Sequence, residues 1–178
     1  VEYEGFVTFP DPRLEAAIRE ALSIPTGNLT SEDLKSLTYL RAEGQGIRSL
    51  QGIEACVNLA SIHLSDNRIG DLSPLAALAN LQTLDFGGNR VSDLSTLALL
   101  TNLEEVDLSG NRITDISPLV QASNLGEGDR LWLLDNPLSR ACLDEQIPAL
   151  IARGVVVEFN AIGADAGGPY ESLVGSSI

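Results

Sequence analysis

Apolar residues recur along this chain on a period longer than any single helix or strand. Three segments align without gaps: Leu59–Asn80 (LASIHLSDNRIGDLSPLAALAN), Leu81–Asn102 (LQTLDFGGNRVSDLSTLALLTN) and Leu103–Asn124 (LEEVDLSGNRITDISPLVQASN), each 22 residues long. A degenerate copy precedes them at Leu37–Asn58, with Gln45 where the others carry asparagine. Another follows after three extra residues around Gly126–Gly128, with Leu131, Leu133, Asn136 and Leu138 back in register. Gln45, Asn67, Asn89, Asn111 and Asn136 thus step by 22, 22, 22 and 25. Within a copy, pairs such as Ile62 and Leu64 alternate with polar neighbours at period two, which predicts a short strand with one inward face. One copy cannot bury that face, whereas stacked copies form a continuous core. Ser73-Pro74-Leu75 and Ser117-Pro118-Leu119 turn the chain into a return segment, because proline sets its own φ and cannot donate to a sheet. The recurring unit is L-x-x-L-x-L-x-x-N-x-I.

A stack of this kind exposes apolar surface at its ends unless it is capped. At the start, Leu14, Ala17, Ile18 and Leu22 share one face of an expected helix, with Asp11 as N-cap and Pro12 in the first position. Pro25-Thr26-Gly27 is expected to end it. Thr30 to Asp33 resembles a capping box with Asp in place of Glu, opening a short second helix through Leu34 and Leu37. At the far end, Ser139 is expected to cap a helix carrying Leu143, Ile147, Leu150 and Ile151 and ending at Gly154. Val155–Phe159 then reads as an edge strand.

The opening residues Phe9-Pro10-Asp11, Leu14, Ala17-Ile18, then Leu29-Thr30, Asp33-Leu34, then Gly46-Ile47, Leu50, Gly52-Ile53, look like the cap and first coil of bacterial internalins. With the D-[LI]-S-P-L repeats, the resemblance covers roughly residues 6 to 138. It implies a secreted or surface-attached bacterial protein whose concave face binds another protein through aromatic side chains. Ala164-Asp165-Ala166-Gly167-Gly168-Pro169-Tyr170 resembles the start of a polycystic-kidney-disease (PKD) type β-sandwich, cut off after a few residues. The expected organisation is a leader at 1–10, a helical N-terminal cap at 11–36, and a repeat domain with its C-terminal cap at 37–160. A linker and truncated PKD-like start occupy 161–178. The expected fold class is an α/β solenoid, a leucine-rich-repeat horseshoe. It has a parallel concave sheet, a short 3₁₀ or helical convex side, a helical N-terminal cap and a helix-plus-strand C-terminal cap.

Composition narrows the function. Acidic residues number 25 against 11 basic, a net charge of −14, which argues against a sequence-independent nucleic-acid binder. Leucine supplies 29 residues and aromatics only eight, as expected for a repeated core. No apolar run approaches the ~18–20 residues of a membrane helix, so no membrane insertion is expected. Cys56 aligns with Leu78 and Leu100, a core position, and Cys142 lies roughly 19 Å away at strand spacing, too far for a disulfide.

The positions six, four and two before each ladder residue point onto the concave sheet. They are Tyr39, Arg41, Glu43; Ser61, His63, Ser65; Thr83, Asp85, Gly87; Glu105, Asp107, Ser109; and Arg130, Trp132, Leu134. Trp132 beside Leu134 and Arg130 has the composition of a binding hot spot; the competing reading is that the insertion at 126–128 or the C-terminal helix covers it. The candidate binding set is therefore Trp132, Leu134, Arg130, Tyr39, Arg41, His63, Asp85, Glu105 and Asp107. Ser61, His63 and Asp85 invite a catalytic-triad reading. A solvated polar strand face is preferred, because a repeated strand supplies neither an oxyanion hole nor a pocket. Asp71, Asp93 and Asp115 form a ladder that a calcium column would use. Turn capping is preferred there, because Arg68, Arg90 and Arg112 run alongside and calcium wants six or more oxygens.

The reading is a non-enzymatic, monomeric protein-interaction module, extracellular or on a bacterial surface, with no cofactor and no metal. A spacer without a ligand is the first alternative, favoured by small polar coils such as Gly87-Gly88. An accessory domain of a secreted hydrolase is the second. A carbohydrate partner, stacked on Trp132 with Asp85 and Asp107 binding hydroxyls, is the third.

Overall fold

The computed structural model describes residues 5–122 and 124–160. Six three-residue strands form one parallel sheet in strict chain order. They are β1 Tyr39–Arg41, β2 Ser61–His63, β3 Thr83–Asp85, β4 Glu105–Asp107, β5 Arg130–Trp132 and β6 Val156–Glu158. Each coil returns through one short turn of helix. These are 3₁₀ at Ile53–Ala55, Ser73–Ala77 and Leu97–Leu99, and α3 at Ser117–Gln121. This is the expected solenoid. Its interior is one continuous core, in which each coil contributes an inward strand pair such as Ile62 and Leu64 and a return-segment leucine such as Leu75. Phe86 is the largest fully buried side chain, standing where the coils on either side have Leu64 and Leu108.

The asparagine column is the seam between coils. The Oδ1 atoms of Asn67, Asn89, Asn111 and Asn136 accept from the N–H of Ile47, Ile69, Val91 and Ile113 in the preceding coil, at 2.9, 3.0, 2.9 and 3.0 Å. Each Nδ2 also gives to carbonyls on both sides of the seam; Asn89 reaches Leu64 O at 2.9 Å and Phe86 O at 3.0 Å. All four are buried. A buried amide suits this place because it offers two N–H donors and a carbonyl acceptor together. The residue before each rung sits in the left-handed region: Gly44, Asp66, Gly88, Gly110 and Asp135 have φ of 66, 57, 67, 64 and 55°. Only glycine, asparagine and aspartate adopt that turn readily. A second column, Asn58, Asn80 and Asn102, ties the convex side by donating to Lys35, Val57 and Ala79 carbonyls at 2.8–3.0 Å.

Helix α1, Pro12–Leu22, closes the N-terminal end with Leu14 and Ile18 buried, and Asp11 is its N-cap. Its end differs from the expectation at Pro25–Gly27. Ser23 turns left-handed at φ 57°, and its N–H and that of Ile24 return to Glu20 and Arg19 carbonyls. Arg19 then holds the following loop through Ile24 and Gly27 carbonyls, so a long-reaching side chain, not proline, shapes the exit. Helix α2, Ser31–Lys35, has the full capping box of Thr30 and Asp33.

At the C-terminal end, Ser139 accepts from the Cys142 N–H at 3.2 Å. The expected helix runs unbroken from Arg140 to Ile151, but with a π-helical turn at Cys142–Gln146 ahead of α4, Ile147–Ile151. Pro148 has no N–H for the carbonyl four residues back, and the turn before it is wound wider. The three-residue insertion packs on this cap: Gly128 donates to Gly154 O at 3.1 Å. Cys56 and Cys142 are free and buried, and burial pushes their thiols up to about 12 and about 11. The PKD-like stretch lies outside the described residues.

Candidate functional site

Register defines the concave face. Down the first column run Tyr39, Ser61, Thr83, Glu105, Arg130 and Val156; down the second run Arg41, His63, Asp85, Asp107, Trp132 and Glu158. These are the side chains left over once the alternate positions have gone to the core, so their exposure follows from the pleat. Neighbours in a column sit ~4.8 Å apart.

The two ends of the face differ from its middle. Tyr39 is 48% exposed and stacks at a tilt against His63, ring centroids 5.3 Å apart. Beside it an open depression of 630 Å³ lies between α1 and β1, lined by Ala17, Glu20, Leu37, Tyr39 and Arg41 among others. At the other end Trp132 is half-buried between Asp107 and Glu158, with Leu134 half-buried next to it and Arg130 exposed. Trp132 thus falls between the two readings of it, because β6 adds a neighbour on its far side. The middle coils present small or acidic groups: Thr83, Asp85, Gly87, Glu105, Asp107 and Ser109. Asp85 and Asp107 each accept from the backbone N–H two residues on, Gly87 at 3.1 Å and Ser109 at 2.8 Å, which fixes the carboxylates against the strand ends.

Ser61, His63 and Asp85 meet as their register requires. The Ser61 hydroxyl and His63 Nε2 are hydrogen-bonded at 3.0 Å, and His63 Nδ1 lies 3.7 Å from Asp85 Oδ2. That last distance is beyond a hydrogen bond. The Ser61 N–H is already given to the Thr38 carbonyl, so it is not free to hold an oxyanion. Glu43 joins this group from the end of β1. One ligand atom each from Glu43, His63 and Asp85 fall within 4.8 Å of one another. The Asp71, Asp93 and Asp115 carboxylates cap turns through Ser73, Ser95 and Ser117 N–H at 2.8–3.1 Å, the turn-capping arrangement expected of that ladder. The Ser95 backbone bond holds Asp93 below the ordinary carboxylate range, and the Ser117 hydroxyl does the same for Asp115. The members of the Glu43 cluster come from three coils. The only signal in sequence was a diagonal one: Glu43 stands two residues past Arg41, the strand partner of His63.

Comparison with known proteins agrees with this geometry. Residues 79–121 match the family model for leucine-rich repeats in two copies, and residues 55–72 match a single-repeat model. The chain carries leucine-rich repeats. Over 65 residues it is 40% identical to internalin H of Listeria monocytogenes serovar 1/2a, which covers 35% of this chain and 12% of that protein. The crystal structure of an internalin from Listeria monocytogenes str. 4b F2365 superposes with a TM-score of 0.68 at 30% identity, covering 86% of this chain and 52% of the other. A leucine-rich-repeat protein of Leptospira interrogans superposes with a TM-score of 0.60 at 28% identity over 75% of this chain and 34% of its own. This leucine-rich-repeat chain therefore spans about half or less of the length of these relatives. Among the described residues, no helix is long and apolar enough to cross a membrane.

Proposed function

We propose that this chain is a non-catalytic protein-interaction module of a bacterial surface or secreted protein, binding its partner through the concave face. Leucine-rich-repeat solenoids as a class use their extended concave surfaces for binding, and the likeness to internalins supports the bacterial setting. The observation that carries the reading is the pair of aromatic ends on one face: Tyr39 over its open depression and Trp132 flanked by Leu134 and Arg130. Tyr, Trp and Arg are the residues most enriched among binding hot spots. Four strand steps separate the two ends, roughly 19 Å, so a partner that fits both must be convex and standard in size. Between the ends, Arg41, His63, Asp85, Glu105 and Asp107 form a polar, mostly acidic floor that selects against acidic partners.

The test uses panels of host and bacterial extracellular proteins against the immobilised chain and two variants. Tyr39→Ala with Trp132→Ala removes both anchors; Leu99→Ala removes a side chain that is 63% exposed on the convex return segment. A partner held by the wild type and by Leu99→Ala, and weakened at least tenfold by the double variant, supports the reading. Equal binding by all variants places the interface elsewhere, and no partner in any panel favours a spacer. Trp132 is the single tryptophan, so its emission reports directly on occupancy of that end.

A further inference from the structure

We propose a divalent-cation site of the zinc class at Glu43, His63 and Asp85, in which His63 Nδ1 and one oxygen from each carboxylate bind the ion and water completes the shell. The three residues come from three adjacent coils, so the site exists only once the coils have stacked. Their ligand atoms lie within 4.8 Å of one another, and the His63 Nδ1 to Asp85 Oδ2 distance is 3.7 Å. Ligands around tetrahedral zinc are about 3.3–3.6 Å apart, given metal–ligand bonds of about 2.0–2.2 Å. The His63–Asp85 gap is therefore too long for a hydrogen bond and close to a ligand–ligand edge. Glu43 closes the remaining distance by a small swing of a side chain that is 34% exposed.

The surroundings hold each ligand by its other end. Ser61 Oγ sits 3.0 Å from His63 Nε2; with the hydroxyl accepting, the proton lies on Nε2 and the Nδ1 lone pair faces the carboxylates. The Gly87 N–H occupies Asp85 Oδ1 at 3.1 Å, leaving Oδ2 toward His63. Arg41 donates to Glu43 Oε2 at 3.0 Å and leaves that carboxylate a second oxygen. The Tyr39 ring lies against the imidazole. Partners of this kind orient metal ligands, and losing one commonly weakens binding about 10–100-fold. One imidazole with two carboxylates suits a borderline cation rather than a soft one. Three protein ligands leave an open position, and side-chain exposures of 27% at His63 and 26% at Asp85 give water access to it. Asp107, the next residue down the column, adds negative potential, and Arg41 is the one neighbouring cation opposing it. Cys56 and Cys142 do not compete in the folded chain, since burial keeps both thiols protonated.

The site stands whether or not the concave face takes a protein partner. It is tested on the whole chain by calorimetric titration with ZnCl₂ alone, together with ¹⁵N spectra of the imidazole, which are unambiguous because His63 is the single histidine. The expected result is one ion per chain, a coordination shift at Nδ1 and not Nε2, and loss of binding by at least about 100-fold in His63→Ala or Asp85→Ala. Ser61→Ala weakens binding about tenfold. Glu105→Ala, an exposed carboxylate elsewhere on the same face, leaves it unchanged. Circular dichroism confirms that each variant is folded. Absence of binding, a shift at Nε2, several weak equivalent ions, or equal affinity in Glu105→Ala and Asp85→Ala overturns the proposal.

Discussion

The two ends of the solenoid finish the same ladder by opposite chemistry. Each inner rung reaches back one coil, its Oδ1 taking an N–H and its Nδ2 giving to a carbonyl. The first coil has no coil behind it, and its rung residue, Gln45, is exposed; among the described residues its side chain bonds only the Glu43 carbonyl, at 3.1 Å. What this end leaves unpaired is a set of donors, and the cap answers with an acceptor-only group. Asp11 takes the Arg13 N–H on Oδ1 at 3.0 Å and those of Arg48 and Ser49 on Oδ2 at 2.6 and 3.2 Å, joining α1 to the first coil. At the far end Asn136 is a complete rung, and β6 follows it with Asn160, whose Oδ1 accepts from the Asp135 N–H at 2.8 Å and whose Nδ2 donates to Asp135 Oδ1 at 2.7 Å. An interior position needs an amide and the N-terminal edge a carboxylate, though the two side chains differ by one atom.

That contrast breaks most sharply at Asn89→Asp. A carboxylate there faces the Leu64, Phe86 and Gly87 carbonyls in a buried site, and urea unfolding should show a loss of about 4 kcal/mol or more. A loss under about 1 kcal/mol would mean that the rung is not a buried seam. The reciprocal change, Asp11→Asn, turns an NH₂ toward backbone donors and should lose about 2 kcal/mol by the same measurement.

The Asp11 comparison sharpens with pH. Burial raises the Asp11 carboxyl, but the N–H groups of Arg48, Arg13 and Ser49 outweigh it, and the net value lies below the usual range. A depressed carboxylate contributes stability that is fully present above the unfolded value, about pH 3.9, and lost as pH falls through the folded one. The gap between wild type and Asp11→Asn should therefore be widest near neutrality and shrink below about pH 4. A gap that does not change with pH would assign the loss to shape rather than to charge. The smallest effect is expected at Gln45→Ala, within about 0.5 kcal/mol, because its amide is exposed and ties no second coil.

Much of this was legible because repetition turns local rules into global ones. The 22-residue step placed Ile62 and Leu64 inward and Ser61 and His63 outward, and the register of the first four strands follows it. Asp11-Pro12 and Thr30 with Asp33 announced helix starts because capping acts within one turn. The exit of α1 was not legible, since Arg19 sets it across eight residues by reaching Gly27. Nor was the widening before Pro148, where a missing donor is absorbed by a π turn within the cap.

The sequence by itself determined the coil length, the inward and outward faces, the parallel sheet and which residues line the concave surface, because these depend on period and on short-range sterics. Only the tertiary structure decided how far Trp132 is covered, since its flank is a strand from beyond the last repeat. It alone decided that Glu43, His63 and Asp85 converge. Side chains on three coils meet according to rotamer, hydrogen-bond partner and the diagonal offset between strands, none of which is written in the residues one coil at a time.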